Sequence, residues 1–191
     1  MAKPKSAHAL SLADITAFRA TLLANSAALI ADAELLFKAG RYARAFSLSV
    51  IAIEEASKIP YLLECAEGLV AGNPPNWEDV HRFLHSHQQK LTANLLNFKG
   101  LQSTSKVPAK GTVAWEDAAA RVKQMDRFKQ DGFYASFRDT GPEAPDELFD
   151  ESRTAMVLKL AQVSFNTSDL MGRGFNAKQA GHSQVDLRTR Y

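Results

Sequence analysis

The sequence predicts an all-α protein, and three observations carry that prediction. Apolar residues recur at helical spacing along most of the 191-residue chain. Turn-forming residues (Gly40; Gly68 and Gly72 with Pro74 and Pro75; Gly132; Gly141 to Pro145) divide it into segments of helix length. No run shows the strict alternation of a half-buried strand. With 46% hydrophobic residues the chain can bury a core of its own. The expected architecture is one domain, a bundle of four to five helices.

A polar leader, residues 1–10, precedes a first helix expected over 11–38, with Ser11 or Asp14 as its cap. Leu22, Leu29, Ile30, Ala33 and Phe37 form its inward stripe, and Gly40 closes it. The second helix starts near Arg41 and is expected to kink or end at Pro60, whose ring removes a backbone donor. A Gly/Pro connector leads to Asn76, a cap for a third helix over 77–98 with Trp77, Val80, Leu84 and Leu91 on its core side. Residues 99–113 read as a mobile loop and 114–130 as a fourth helix, broken by Gly132-Phe133-Tyr134. Residues 140–146 read as a turn and 146–171 as the last helix. The domain is thus expected over 11–171, with 172–191 a flexible tail.

A net charge of +2 is too small to mark a nucleic-acid binder by bulk charge. The N-terminus lacks the apolar run of a signal peptide, and no stretch is expected to span a membrane, so no membrane partner is expected. Cys65 is the single cysteine, which rules out a disulfide framework within the chain and makes the cytoplasm the expected location. Beside an apolar run, it reads as a packing residue.

The second helix carries the most informative pattern. At about 100° per residue, Glu54 and Lys58 fall among Val50, Ile51 and Tyr61 on the apolar arc, with Glu55 at its edge. A buried charge costs several kcal/mol unless it is paired and hydrogen-bonded, so this helix needs a compensating partner. The nearest is internal, an i,i+4 pair between Glu54 and Lys58. The third helix holds Arg82, His87 and Lys90, which can share one groove with Glu54, Glu55 and Lys58 if the two helices pair antiparallel. On a straight helix Arg82 and His87 point about 140° apart, so joining them takes a kink or a second copy of the chain. Glu78-x-x-His81 has the spacing of carboxylate-bridged di-metal bundles, but those sites need two such elements and the chain has one. No metal or other cofactor is therefore expected.

The segment GRYARAFSLSVIAIEEASKIPYLL resembles the AbiV family of bacterial abortive-infection proteins, within the HEPN superfamily. The resemblance is carried by Gly40-x-Tyr42, Ala45, Ser47, Ala52-x-Glu54-Glu55 and Lys58, then His87-x-x-Lys90, then the stretch from Phe128 to Pro145. It implies an HEPN-like helical bundle, commonly a homodimer, acting in antiphage defence. Catalytic members are metal-independent ribonucleases with an Arg-x(4–6)-His motif, and Arg82-Phe-Leu-His-Ser-His87 has that spacing. The resemblance thus implies Arg82 and His87 as catalytic residues acting on RNA, arginine steadying the phosphate and histidine handling protons. Glu54, Glu55, Lys58 and Lys90 would support them. Arg121, Lys123 and Arg127, with Lys129 on the same helix, and the exposed Tyr134 are the RNA-binding candidates. The chain departs from the pattern at Phe83, where many active members place a polar residue after the arginine. A phage-encoded activator is the expected trigger. The alternative is a non-catalytic interaction module that blocks translation by binding, with the buried charges acting as a structural lock.

Overall fold

The computed structural model describes residues 8–102, 113–139 and 141–188. Six α-helices make up almost all of the described chain: α1 (Leu12–Lys38), α2 (Tyr42–Val70), α3 (Trp77–His85), α4 (His87–Gln102), α5 (Val113–Asp131) and α6 (Glu151–Arg188). The all-α expectation holds. One small departure is an antiparallel hairpin of β1 (Ser136–Arg138) and β2 (Gly141–Glu143), pairing Ser136 with Glu143 and Arg138 with Gly141. A single 3-10 turn, Pro145–Glu147, links it to α6. Three-residue strands are too short for alternation to register in the sequence.

Ser11 starts α1 through a capping box: its hydroxyl accepts from the Asp14 amide at 3.1 Å, and the Asp14 carboxylate accepts from the Ser11 amide at 2.9 Å. Gly40, at φ +71°, turns the chain into α2. α2 is the central element and packs along both α1 and α6, with α4 and α5 on another side. Its 29 residues continue as one helix through Pro60, so the proline does not end it. The reason lies in α6. Proline leaves the carbonyl of residue 56 without its helical donor, and the Ser168 hydroxyl donates to that Ala56 carbonyl at 2.9 Å.

The third helix of the sequence reading is two helices. The chain leaves helical geometry at Ser86, ψ 108°, and restarts at His87 with the Ser86 hydroxyl accepting from the Gln89 amide at 3.2 Å. The last helix begins at Glu151, later than expected, and continues to Arg188 through the stretch read as a tail. The loop expected over 99–113 narrows at both ends, since α4 reaches Gln102 and α5 begins at Val113; residues 103–112 lie outside the described residues, as do leader residues 1–7.

Two apolar clusters fill the interior. One joins Phe46, Val50 and Ile53 of α2 to Ile30, Leu91, Val122, Phe149 and Val157. The other joins Ile59, Leu62 and Cys65 to Ile15, Leu22 and Val80. Cys65 is a packing residue there, and burial, followed by the nearby Glu64 charge, pushes its thiol up and away from thiolate character. α1 also corrects an expectation. An 18-residue window within it has mean hydropathy 1.4, long and apolar enough by length and composition to cross a membrane. Here it packs as a bundle helix against α2 and α6.

Candidate functional site

Glu54 lies on α2 between the two apolar clusters, and its burial is the central fact of the site. Its side chain is 3% exposed, and the ammonium-bearing side chains of Lys129 and Lys90 beside it are 4% and 5% exposed. Lys129 Nζ donates to Glu54 Oε1 at 2.6 Å. His87 Nδ1 meets Glu54 Oε2 at 2.5 Å, and Lys90 Nζ stands 3.9 Å from the same oxygen. Two helices, α4 and α5, thus deliver three partners to one carboxylate of α2, and the expected i,i+4 bridge to Lys58 is not among them. Lys58 turns instead to Glu55 at 2.5 Å, and the other Glu55 oxygen accepts from the Asn25 amide of α1 at 3.2 Å. The helical projection placed Glu54 inward and Glu55 at the edge, and both positions hold. It could not say which carboxylate Lys58 reaches.

The break at Ser86 decides where His87 goes. As the first residue of α4 it leaves the line of α3 and swings its ring onto Glu54, while remaining 57% exposed. An ionised carboxylate only accepts, so the neutral imidazole paired with Glu54 carries its proton on Nδ1. Nε2 is then the bare nitrogen of the ring. Lys90, one turn further along α4, is held below the ordinary lysine range, first by burial and then by the nearby Lys58 charge.

Lys129 is the residue the sequence misplaced. It reads as part of a basic run on α5 facing RNA, yet it is buried between Glu54 and Asp126, whose Oδ1 lies 2.8 Å away. Burial works against its charge, but the hydrogen bonds it donates to Asp126 and then Glu54 outweigh that cost and raise its pKa. Its position follows from close helix packing. A Cβ on Gly132 would lie 2.1 Å from Ser47 Oγ and 2.5 Å from the Ala43 carbonyl oxygen, so only glycine lets α5 end this close to α2. Ser47 then donates to the Lys129 carbonyl at 2.8 Å. The available signals were the Asp126–Lys129 spacing and the glycine three residues on; neither points to Glu54 without the fold.

The remaining residues singled out from the sequence lie apart from this cluster. Arg82 is exposed on α3 and bonds Asp79 at 3.0 Å. Phe83, the departure from the family pattern, is buried and stacks on Tyr61 with centroids 4.1 Å apart, fastening α3 to α2. Arg121, Lys123 and Arg127 are exposed on α5, with Arg127 3.8 Å from Asp131. Arg121 also borders a cavity of about 160 Å³ with Ile53, Leu91, Asn94 and Met125. Tyr134 is exposed beside Phe133, with ring centroids 6.4 Å apart. His81 stacks on His85 at 4.2 Å, and the His85 ring meets the His81 carbonyl at 2.8 Å. Among the described residues no three His, Cys, Asp or Glu side chains gather as metal ligands.

Comparison with known proteins agrees with the resemblance seen in α2. Residues 14–166 match the HEPN family model described as AbiV, a span from the first turn of α1 into α6 that contains every member of the Glu54 cluster. No curated protein and no solved structure gives a match.

Proposed function

The chain belongs to the AbiV family of abortive-infection HEPN proteins, and from that premise we propose that it is a cytoplasmic antiphage effector that cleaves RNA without a metal ion. The observation that carries this reading is the His87–Glu54 pair: a half-exposed imidazole oriented through Nδ1 by a carboxylate that is itself buried and held by two lysines. That arrangement suits general-base chemistry, in which the bare Nε2 takes the proton from an RNA 2′-hydroxyl. The 2′-oxygen then bonds to the adjacent phosphorus, and the bond to the 5′-oxygen of the next nucleotide breaks. Arg82, released from Asp79 by the stronger charge of a phosphate, would steady the anionic transition state. Arg121, Lys123, Arg127 and Tyr134 remain the proposed contacts for the rest of the strand.

We further propose that the chain works as a homodimer and is triggered by a phage-encoded protein. Support for pairing comes from α1, where Ala17, Ala20, Ala24, Ala27, Ala31 and Leu35 are all exposed on one face. A groove of about 420 Å³ between α1 and α6 adjoins that face.

The second reading is a non-catalytic module that arrests translation by binding. It is favoured by the pairing of Arg82 with Asp79 on α3, away from the Glu54 cluster. Induced expression of wild type, Arg82→Ala and His87→Ala, with total RNA run from the same cells, separates the two. Under the ribonuclease reading wild type arrests growth and fragments RNA, and both folded variants lose at least about 100-fold of that activity. Arrest by all three with intact RNA selects the binding module.

A further inference from the structure

The two oxygens of Glu54 are committed to different partners. Oε1 receives Lys129, while Oε2 receives His87 with Lys90 waiting 3.9 Å away. We propose that Lys129 is a positioning residue: by occupying Oε1 it leaves Oε2 to the imidazole, which fixes the His87 proton on Nδ1 and keeps Nε2 bare. The consequence for catalysis rests on the ribonuclease reading above; the tautomer itself does not.

The charges around the pair explain why one lysine decides this. The groups facing it are Glu55 and Lys58 from α2, Lys90 from α4, and Asp126 and Lys129 from α5. Counted with Glu54, three carboxylates oppose three ammonium groups in a region largely closed to water. Lys58 is already bound to Glu55, so Lys90 is the one further cation near Glu54 among the described residues. If Lys129 is removed, Oε1 loses its cation, and a buried carboxylate so deprived draws in the next available charge. Lys90 moving onto Oε2 displaces the ring from its acceptor, and the imidazole returns to the Nε2–H form that free histidine prefers. Lys129 itself has little freedom to leave, because Asp126 holds its ammonium and Ser47 its backbone carbonyl.

The test uses the full-length protein with ring-nitrogen-labelled histidine, without RNA, at mildly alkaline pH. His87 is assigned by the signal lost in His87→Gln. Wild type is expected to show Nδ1 protonated and Nε2 bare. Lys129→Met is expected to move the majority of His87 to the Nε2–H form, and Lys129→Arg to keep the wild-type pattern. Lys129→Gln, which keeps a polar chain without the charge, reads the same shift if the Met variant does not fold. Wild type found mainly as Nε2–H overturns the proposal, as does a folded Met or Gln variant with the wild-type tautomer. A shifted tautomer in a protein that never cleaves RNA supports the positioning role while defeating the ribonuclease reading.

Discussion

Glu54 and Lys129 form a pair whose value depends on how completely water is excluded. Removing one partner from such a pair costs about 3–5 kcal/mol, because the other is left buried and uncompensated. The sign of the pH dependence follows from the two lysines. Lys129 has its pKa raised on folding, so its contribution is full below the ordinary lysine value of about 10.4 and is lost as pH climbs above it. Lys90 has its pKa lowered, so its unfavourable contribution is relieved as pH rises from that lowered value towards about 10.4. Stability is therefore expected to rise gently with pH below about 10.4 and to fall above it. Urea unfolding of wild type and Lys129→Met across this range measures the effect. Their stability gap should narrow above about 10.4; a gap that stays constant contradicts the assignment of the alkaline loss to Lys129.

Among the helices, small hydroxyl residues do work that no hydrophobic pattern reveals. Ser26 donates to the Ala52 carbonyl and Ser168 to the Ala56 carbonyl, so α1 and α6 each reach the backbone of α2. The second bond makes Pro60 tolerable inside a helix. Ser168→Ala is expected to destabilise the protein by about 1–3 kcal/mol, since the Ala56 carbonyl is left buried without a donor. Ser49→Ala is the control: its hydroxyl donates only to Ala45 within its own helix, a carbonyl that the helix already satisfies, and it should cost less. Equal losses in thermal unfolding would remove this explanation for the continuity of α2. The break at Ser86 belongs to the same scale, because a continuous helix would carry His87 past Glu54.

Over the whole molecule, the charged set occupies the gap between two apolar clusters that share α2 as their common wall. Apolar packing on either side fixes the helices that bring Glu54, His87, Lys90 and Lys129 together. The opposite side is less fully covered: 22% of the apolar window of α1 is buried. If that face pairs with a second copy, sedimentation at micromolar concentration should give about twice the 21.0 kDa chain mass. Ala27→Glu combined with Ala31→Glu should return it to monomer with unchanged helical content. A monomeric wild type would set the proposed dimer aside.

The sequence alone determined what depends on local periodicity and chain chemistry. The 3.6-residue period along α2 suffices to place Glu54 inward and Glu55 at the margin, and the capping residues Ser11 and Asn76 mark their helices without reference to any other segment. The family could be read for the same reason, since its marks are short ordered runs such as Glu54-Glu55-x-x-Lys58. Only the tertiary structure decided the partners. Lys129 reads as a surface cation because it continues the run of Arg121, Lys123 and Arg127, while its burial comes from Gly132 resting on Ala43 and Ser47, far away along the chain. Pro60 reads as a break because its rescuer, Ser168, lies on another helix. Hydrophobic spacing records which way a side chain faces, and that is a property of one helix. Which carboxylate meets which cation depends on how several helices approach, and the missing Cβ at Gly132 permits that approach.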